Sequence, residues 1–140
     1  MSNYPPPGAG QKTQVLGLDN NIAGLLCYLP VCGINLISSI LWLVTEKENR
    51  FLRFHAMQSL FLIVMTFVAI IVLVIIGTVV GLILGQVSSG LSVIWGLIMM
   101  LLYFVVLGAF IILEIVGMVK AYKGDMWQAP IVGGIAAGKV

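Results

Sequence analysis

Residues 56–113, AMQSLFLIVMTFVAIIVLVIIGTVVGLILGQVSSGLSVIWGLIMMLLYFVVLGAFIIL, run for 58 positions without an Asp, Glu, Lys or Arg. A second uncharged run, residues 20–45, covers 26. A water-soluble domain needs charged side chains on its outward faces. A bilayer core of about 30 Å is crossed by roughly 20 apolar residues at about 1.5 Å rise each. The shorter run therefore fits one crossing. The longer run fits two, joined by the short uncharged hairpin GQVSSGLS at 85–92. The expected fold is all-α: an integral membrane helical bundle with transmembrane helices at 22–44, 60–84 and 91–119. An interfacial amphipathic helix at 46–59 and a C-terminal interfacial segment at 120–140 complete it.

Composition narrows the class. The 140 residues are 61% hydrophobic and 9% charged, which leaves room for one membrane domain, 20–140, and for no soluble domain beside it. A net charge of +2 gives no footing for a nucleic-acid partner. Residues 1–19 hold one Lys, one Asp and three consecutive prolines, and they read as a disordered polar tail. That tail lacks the positive start and small-residue cleavage site of a secretory signal, so the first apolar run is expected to stay in the mature protein. Neither end carries a lipidation signal. Cys27 and Cys32, in CYLPVC, have no further metal ligands around them and read as small buried apolar side chains. Pro30 and Gly33 should kink or unwind the first apolar run, or turn it back as a re-entrant loop that changes the side of the N-terminus.

The richest polar passage is TEKENRFLRFHAMQSL, residues 45–60. Thr45 and Glu48 fit a capping box, which places a helix start here. Glu46 and Arg50 stand at i,i+4 with the acid first, the favourable order. Phe51 and Phe54 alternate with Arg50 and Arg53, as expected of a cytoplasmic elbow lying at headgroup depth. His55, Gln58, Ser59 and, further on, Thr66 make a polar stripe entering a hydrophobic helix, which must face protein or a wet cavity. His55 with Ser59 has no orienting acid, so interhelical hydrogen bonding is the expectation rather than nucleophilic catalysis. At the other end Lys120, Tyr122, Lys123 and Trp127 read as interface anchors.

Orientation follows from the cations. Lys47, Arg50 and Arg53 lie in one connection and Lys120, Lys123 and Lys139 in the C-terminal segment, which three crossings put on one side. The positive-inside rule makes that side cytoplasmic, with the N-terminus outside, in a multi-pass protein of the cell membrane. Gly77, Gly81 and Gly85 line one helical face, for packing against the third crossing or against another copy. Glu114, an intramembrane acid six residues before Lys120, needs a partner, and Arg53, Arg50 or His55 is expected to supply it. GGIAAGK at 133–139 imitates a phosphate-binding loop, but Val140 stands where a Ser or Thr would hold magnesium. No catalytic, cofactor or metal constellation emerges.

TEKENRFLRFHAMQSL and GMVKAYKGDMWQAPIVGGIA, in that order with two apolar helices between, resemble a family of small prokaryotic membrane proteins of unknown function. That family is grouped with the channel component of the chloroplast inner-envelope protein import translocon. Gly134 departs from its pattern, in which many relatives carry an acid there. The resemblance implies a helical membrane bundle and a part in polypeptide translocation or membrane-protein assembly. With the residue pattern, it gives the functional expectation of a non-enzymatic scaffold or translocon-like subunit. Its partners would be membrane lipids, anionic ones above all, other membrane proteins or further copies of itself. The alternative is a homo-oligomeric ion or solute channel packed through the glycine face, with Glu114 and His55 on a wet path.

Overall fold

The computed structural model describes residues 10–31 and 33–140; the proline run at 5–7 and Cys32 lie outside them. Among the described residues five helices follow one another: α1 (Asn20–Leu26), α2 (Ile34–Thr45), α3 (Arg50–Val87), α4 (Ser89–Tyr122) and α5 (Val132–Ala137). Among the described residues the extended structure is limited to one bridge, Lys12 to Asp19. The chain forms two compact units. One comprises residues up to 63 together with 112–140, and the other is 64–111. Helices α3 and α4 contribute to both.

The 64–111 unit is an antiparallel apolar hairpin turning at Ser88, where α3 ends and α4 begins. Its packing follows the glycines. A Cβ on Gly77 would meet the Met99 side chain, one on Gly81 the Trp95 ring, and one on Gly85 Ser92. The Trp95 indole N–H donates to the Gly77 carbonyl at 3.0 Å, and the Ser92 hydroxyl to the Gly81 carbonyl at 3.3 Å. Missing side chains on α3 thus let larger ones from α4 come close, gaining dispersion contacts that lipid cannot supply so specifically. The outward face is mostly apolar: Phe67, Ile71, Ile75, Leu82, Leu101 and Phe104 are all exposed, with Thr78 and, near the turn, Gln86 beside them. Helices α3 and α4, at 38 and 34 residues, are each long and apolar enough to cross a bilayer.

The first apolar run departs from the expected single crossing at 22–44. It is two short helices of 7 and 12 residues, broken where Pro30 lacks an N–H and Gly33 takes the left-handed conformation (φ +73°). They fold back on each other. The Ser38 hydroxyl donates to the Leu26 carbonyl at 2.9 Å and the Trp42 indole N–H to the Ala23 carbonyl at 3.1 Å. Those bonds satisfy the carbonyls that the end of α1 leaves open. At the mouth of this hairpin the Asn49 amide donates to the Asn20 side-chain oxygen at 2.9 Å.

Four further expectations need correcting. The elbow is no separate interfacial helix but the unbroken start of α3. That helix is capped by Asn49, whose side-chain oxygen accepts the Leu52 N–H at 3.2 Å, while Thr45 ends α2 with its hydroxyl on the Leu41 carbonyl. Asn caps as well as Thr, and its position decides where the turn can close. Glu46, fully buried, does not pair with Arg50; it accepts the Gln14 N–H at 2.6 Å. Residues 10–19, expected as disordered tail, form a tight turn closed by Thr13 N–H to Leu18 carbonyl (2.8 Å) and Asn20 N–H to Gln11 carbonyl (3.0 Å).

Close approach has a measurable consequence at Gly117, where an added Cβ would lie 2.6 Å from the Tyr28 ring. Gly117→Ala is expected to destabilise the protein by about 1–3 kcal/mol, read as a lower thermal midpoint in detergent. Gly96→Ala meets nothing within 4 Å and should be neutral or stabilising by up to about 1 kcal/mol.

Candidate functional site

The polar stripe at the start of α3 faces inward. Phe51, Phe54, His55, Gln58 and Ser59 are buried, whereas Arg50 is exposed and Arg53 half-buried. These residues precede the long apolar run of α3, and each polar one has found a partner. The Gln58 amide N–H donates to the Tyr28 hydroxyl at 2.8 Å, and that hydroxyl lies 3.0 Å from His55 Nδ1. His55 Nε2 lies 3.0 Å from the backbone carbonyl of Asp125. A carbonyl can only accept, so Nε2 carries the proton and Nδ1 accepts from Tyr28. The Gln58 carbonyl oxygen receives the Ala129 N–H at 2.9 Å, and Ser59 donates to the Cys27 carbonyl.

This relay is a clamp. It ties the end of α1 to the start of α3, and both to the segment after α4. Apolar walls enclose it: the rings of Phe51, Phe54 and Tyr28 stand edge-on to His55 at centroid distances of 4.6, 5.2 and 5.6 Å. Gly24 makes room for the Phe51 ring and for Ala121. Buried amides and hydroxyls are costly unless bonded, and here the bonds run between segments far apart in sequence.

Other site residues fall elsewhere. Glu114 is not paired with Arg50, Arg53 or His55; the Asn35 side chain at the start of α2 is its polar neighbour. An amide serves there because the returning α2 reaches that depth of α4 and the arginines do not. Lys120 pairs with Asp125 at 3.3 Å, both side chains about half exposed. Tyr122 and Lys123 are exposed and Trp127 half-buried. In the C-terminal segment Ala129, Val132 and Ala136 are buried, leaving Ile131 and Ile135 outward. Cys27 is a buried free thiol that donates to the Ala23 carbonyl at 3.5 Å. Among the described residues no group of three or more His, Cys, Asp or Glu could hold a metal ion. Sequence reasoning missed Tyr28, Asn35 and Asn49, which carry central bonds of this unit. The CYLPVC passage drew attention to its cysteines, and only the fold-back of α1 and α2 shows why a tyrosine stands between them.

An uncharged apolar hairpin and a polar-cored helical unit holding all the charged side chains define a small helical membrane protein. The chain belongs to the family described as the magnetosome magnetite crystal formation protein family, whose model matches residues 19–136. It is 39% identical over 126 residues to a UPF0132 membrane protein of Methanocaldococcus jannaschii, covering 89% of this chain and 73% of that one. A second UPF0132 membrane protein of that organism is 41% identical over 121 residues, with 86% and 88% covered. One from Archaeoglobus fulgidus is 35% identical over 119 residues, with 85% and 93% covered. No solved structure matches the chain significantly.

Proposed function

We propose that this protein is a non-enzymatic membrane scaffold. The apolar 64–111 hairpin anchors it, and the charged unit engages anionic headgroups and other proteins at the cytoplasmic face. The observation that carries this reading is the division of labour along the chain. Every Lys, Arg, Asp and Glu belongs to the unit made of residues up to 63 and 112–140, and none to 64–111. The clamp residues of the charged unit spend their hydrogen bonds internally, and what the unit offers outward is its rim: Lys12, Lys47, Arg50 and Lys123 are exposed. Each cation near an anionic leaflet contributes about 1 kcal/mol, and several together hold such a surface against physiological salt. The buried Phe51, Phe54, His55 and Gln58 act in this reading as positioning residues behind the rim rather than as the contact itself.

The family description names magnetite crystal formation in magnetosomes. For this chain we retain from it a role at a membrane surface. A translocon-like part in assembly of other proteins is a more specific form of the same scaffold. The channel alternative draws little support from the geometry. The glycine face is filled by Met99, Trp95 and Ser92, and His55 is closed in by rings and hydrogen bonds. Glu114 has an amide partner.

Two measurements separate these readings. Protein purified in mild detergent should retain anionic over neutral phospholipid. Combined Lys47→Gln, Arg50→Gln and Lys123→Gln should cut that preference several-fold and remove its salt dependence. Reconstituted vesicles should show no ion flux above empty ones. Flux that disappears in Glu114→Gln would instead establish the channel.

A further inference from the structure

The charged unit contains an apolar surface that its own core does not use. On α2, Leu36, Ile37, Ile40 and Val44 are 42–67% exposed, and Val31 at the turn is 51% exposed. The opposite face of the same helix is packed, with Ser38, Ser39 and Trp42 buried. Contacts along α3 and α4 show where this hairpin runs. Gly24 meets Ala121 and Phe51 near the charged ends of those helices. Tyr28, one turn on, meets Gly117, His55 and Gln58. Cys27 meets Ser59, and Asn35, past the turn, meets Glu114. As the chain leaves α1, its neighbours move along α4 from 121 to 117 to 114, away from Lys120, and along α3 from 51 to 59.

Helix α2 then retraces that path. Trp42 bonds back to Ala23, Asn49 to Asn20, and Glu46 to Gln14. Both feet of the hairpin therefore stand among charged residues, Lys12, Lys47, Arg50 and Arg53 with Asp19, Glu46 and Glu48 between them. Its turn lies beside Ser59 of α3 and Glu114 of α4. Twelve residues of α2 rise about 18 Å, the thickness of one leaflet rather than two. Backbone that breaks from helix at membrane depth survives when it is bonded to protein, and here Asn35 N–H reaches the Leu29 carbonyl at 3.2 Å across the turn.

We propose that α1 and α2 are a re-entrant hairpin that enters and leaves the membrane through the face bearing Arg50, Arg53, Lys120 and Lys123, with Leu36, Ile37, Ile40 and Val44 against the acyl chains of that leaflet alone. The partner of this surface is lipid hydrocarbon. The cationic rim at the hairpin's feet matches the headgroup layer above it. Residues 10–19 then lie on the same side as the C-terminal segment, opposite to the side expected from three crossings. The inference is independent of whether the rim recruits proteins.

Single cysteines in a Cys27→Ala, Cys32→Ala background test it in native membranes and in vesicles of mixed neutral and anionic phospholipid. Gln14→Cys, Lys47→Cys and Lys123→Cys should all react with a membrane-impermeant maleimide from one and the same side. Val31→Cys should resist that reagent from both sides. Carrying a fluorophore, it should be quenched more strongly by a nitroxide deep on the lipid chain than by one at the headgroup. Labelling of positions 14 and 47 from opposite sides would overturn the proposal in favour of a spanning segment. Stronger quenching by the headgroup nitroxide would overturn it in favour of a surface-lying one.

Discussion

Everything else in the charged unit depends on one buried side chain, Gln58. Its amide donates to the Tyr28 hydroxyl and its carbonyl receives the Ala129 N–H, so one residue of α3 holds the end of α1 and the segment after α4 at once. Because Tyr28 is thereby oriented towards His55, and His55 towards the Asp125 carbonyl, the three segments are fixed as a set. Each bond alone contributes about 1 kcal/mol net, but leaving any partner unpaired in this enclosed space costs more than the bond adds. Such a network favours a single arrangement of the segments over slipped or partly docked ones.

This constraint explains how a chain so apolar acquires a defined charged surface. Lipid offers hydrophobic segments little reason to choose one another, so specificity must come from close backbone approach and from hydrogen bonds. The two units divide these devices. In 64–111 the glycines of α3 admit Trp95 and Met99 from α4. In the other unit Gly24 and Gly117 admit Phe51 and Tyr28, and the polar clamp completes the selection. The cations left outside are then presented on a fixed frame rather than on a mobile elbow.

The sequence made the helical, membrane-embedded class legible, because 58 uncharged residues in a continuous apolar run, without the alternation of barrel strands, suit helices in lipid. The glycine spacing and the inward-facing stripe of His55, Gln58 and Ser59 were readable too, since period and polarity depend on local sequence alone. Three things were not. Pro30 and Gly33 announce a break, but whether the chain continues or turns back depends on Ser38 and Trp42 finding the carbonyls of α1. Thr45 and Asn49 are both competent caps, and the turn after α2 selects the second. Phe51 and Phe54 beside arginines suggest an interfacial helix, yet a neighbouring α1 with Gly24 at the contact buries them. Each failure concerns a partner distant in sequence. That is the information that composition and periodicity omit.

The most direct test of the clamp is hydrogen–deuterium exchange on the protein in lipid nanodiscs, comparing the parent chain with Gln58→Leu, which keeps the volume and removes both bonds. Residues 125–137 should be protected in the parent and should exchange at least tenfold faster in the variant, while 64–111 remains unchanged. Equal protection of 125–137 in the two proteins would contradict the account, because the segment would then be held by something other than the relay through Gln58.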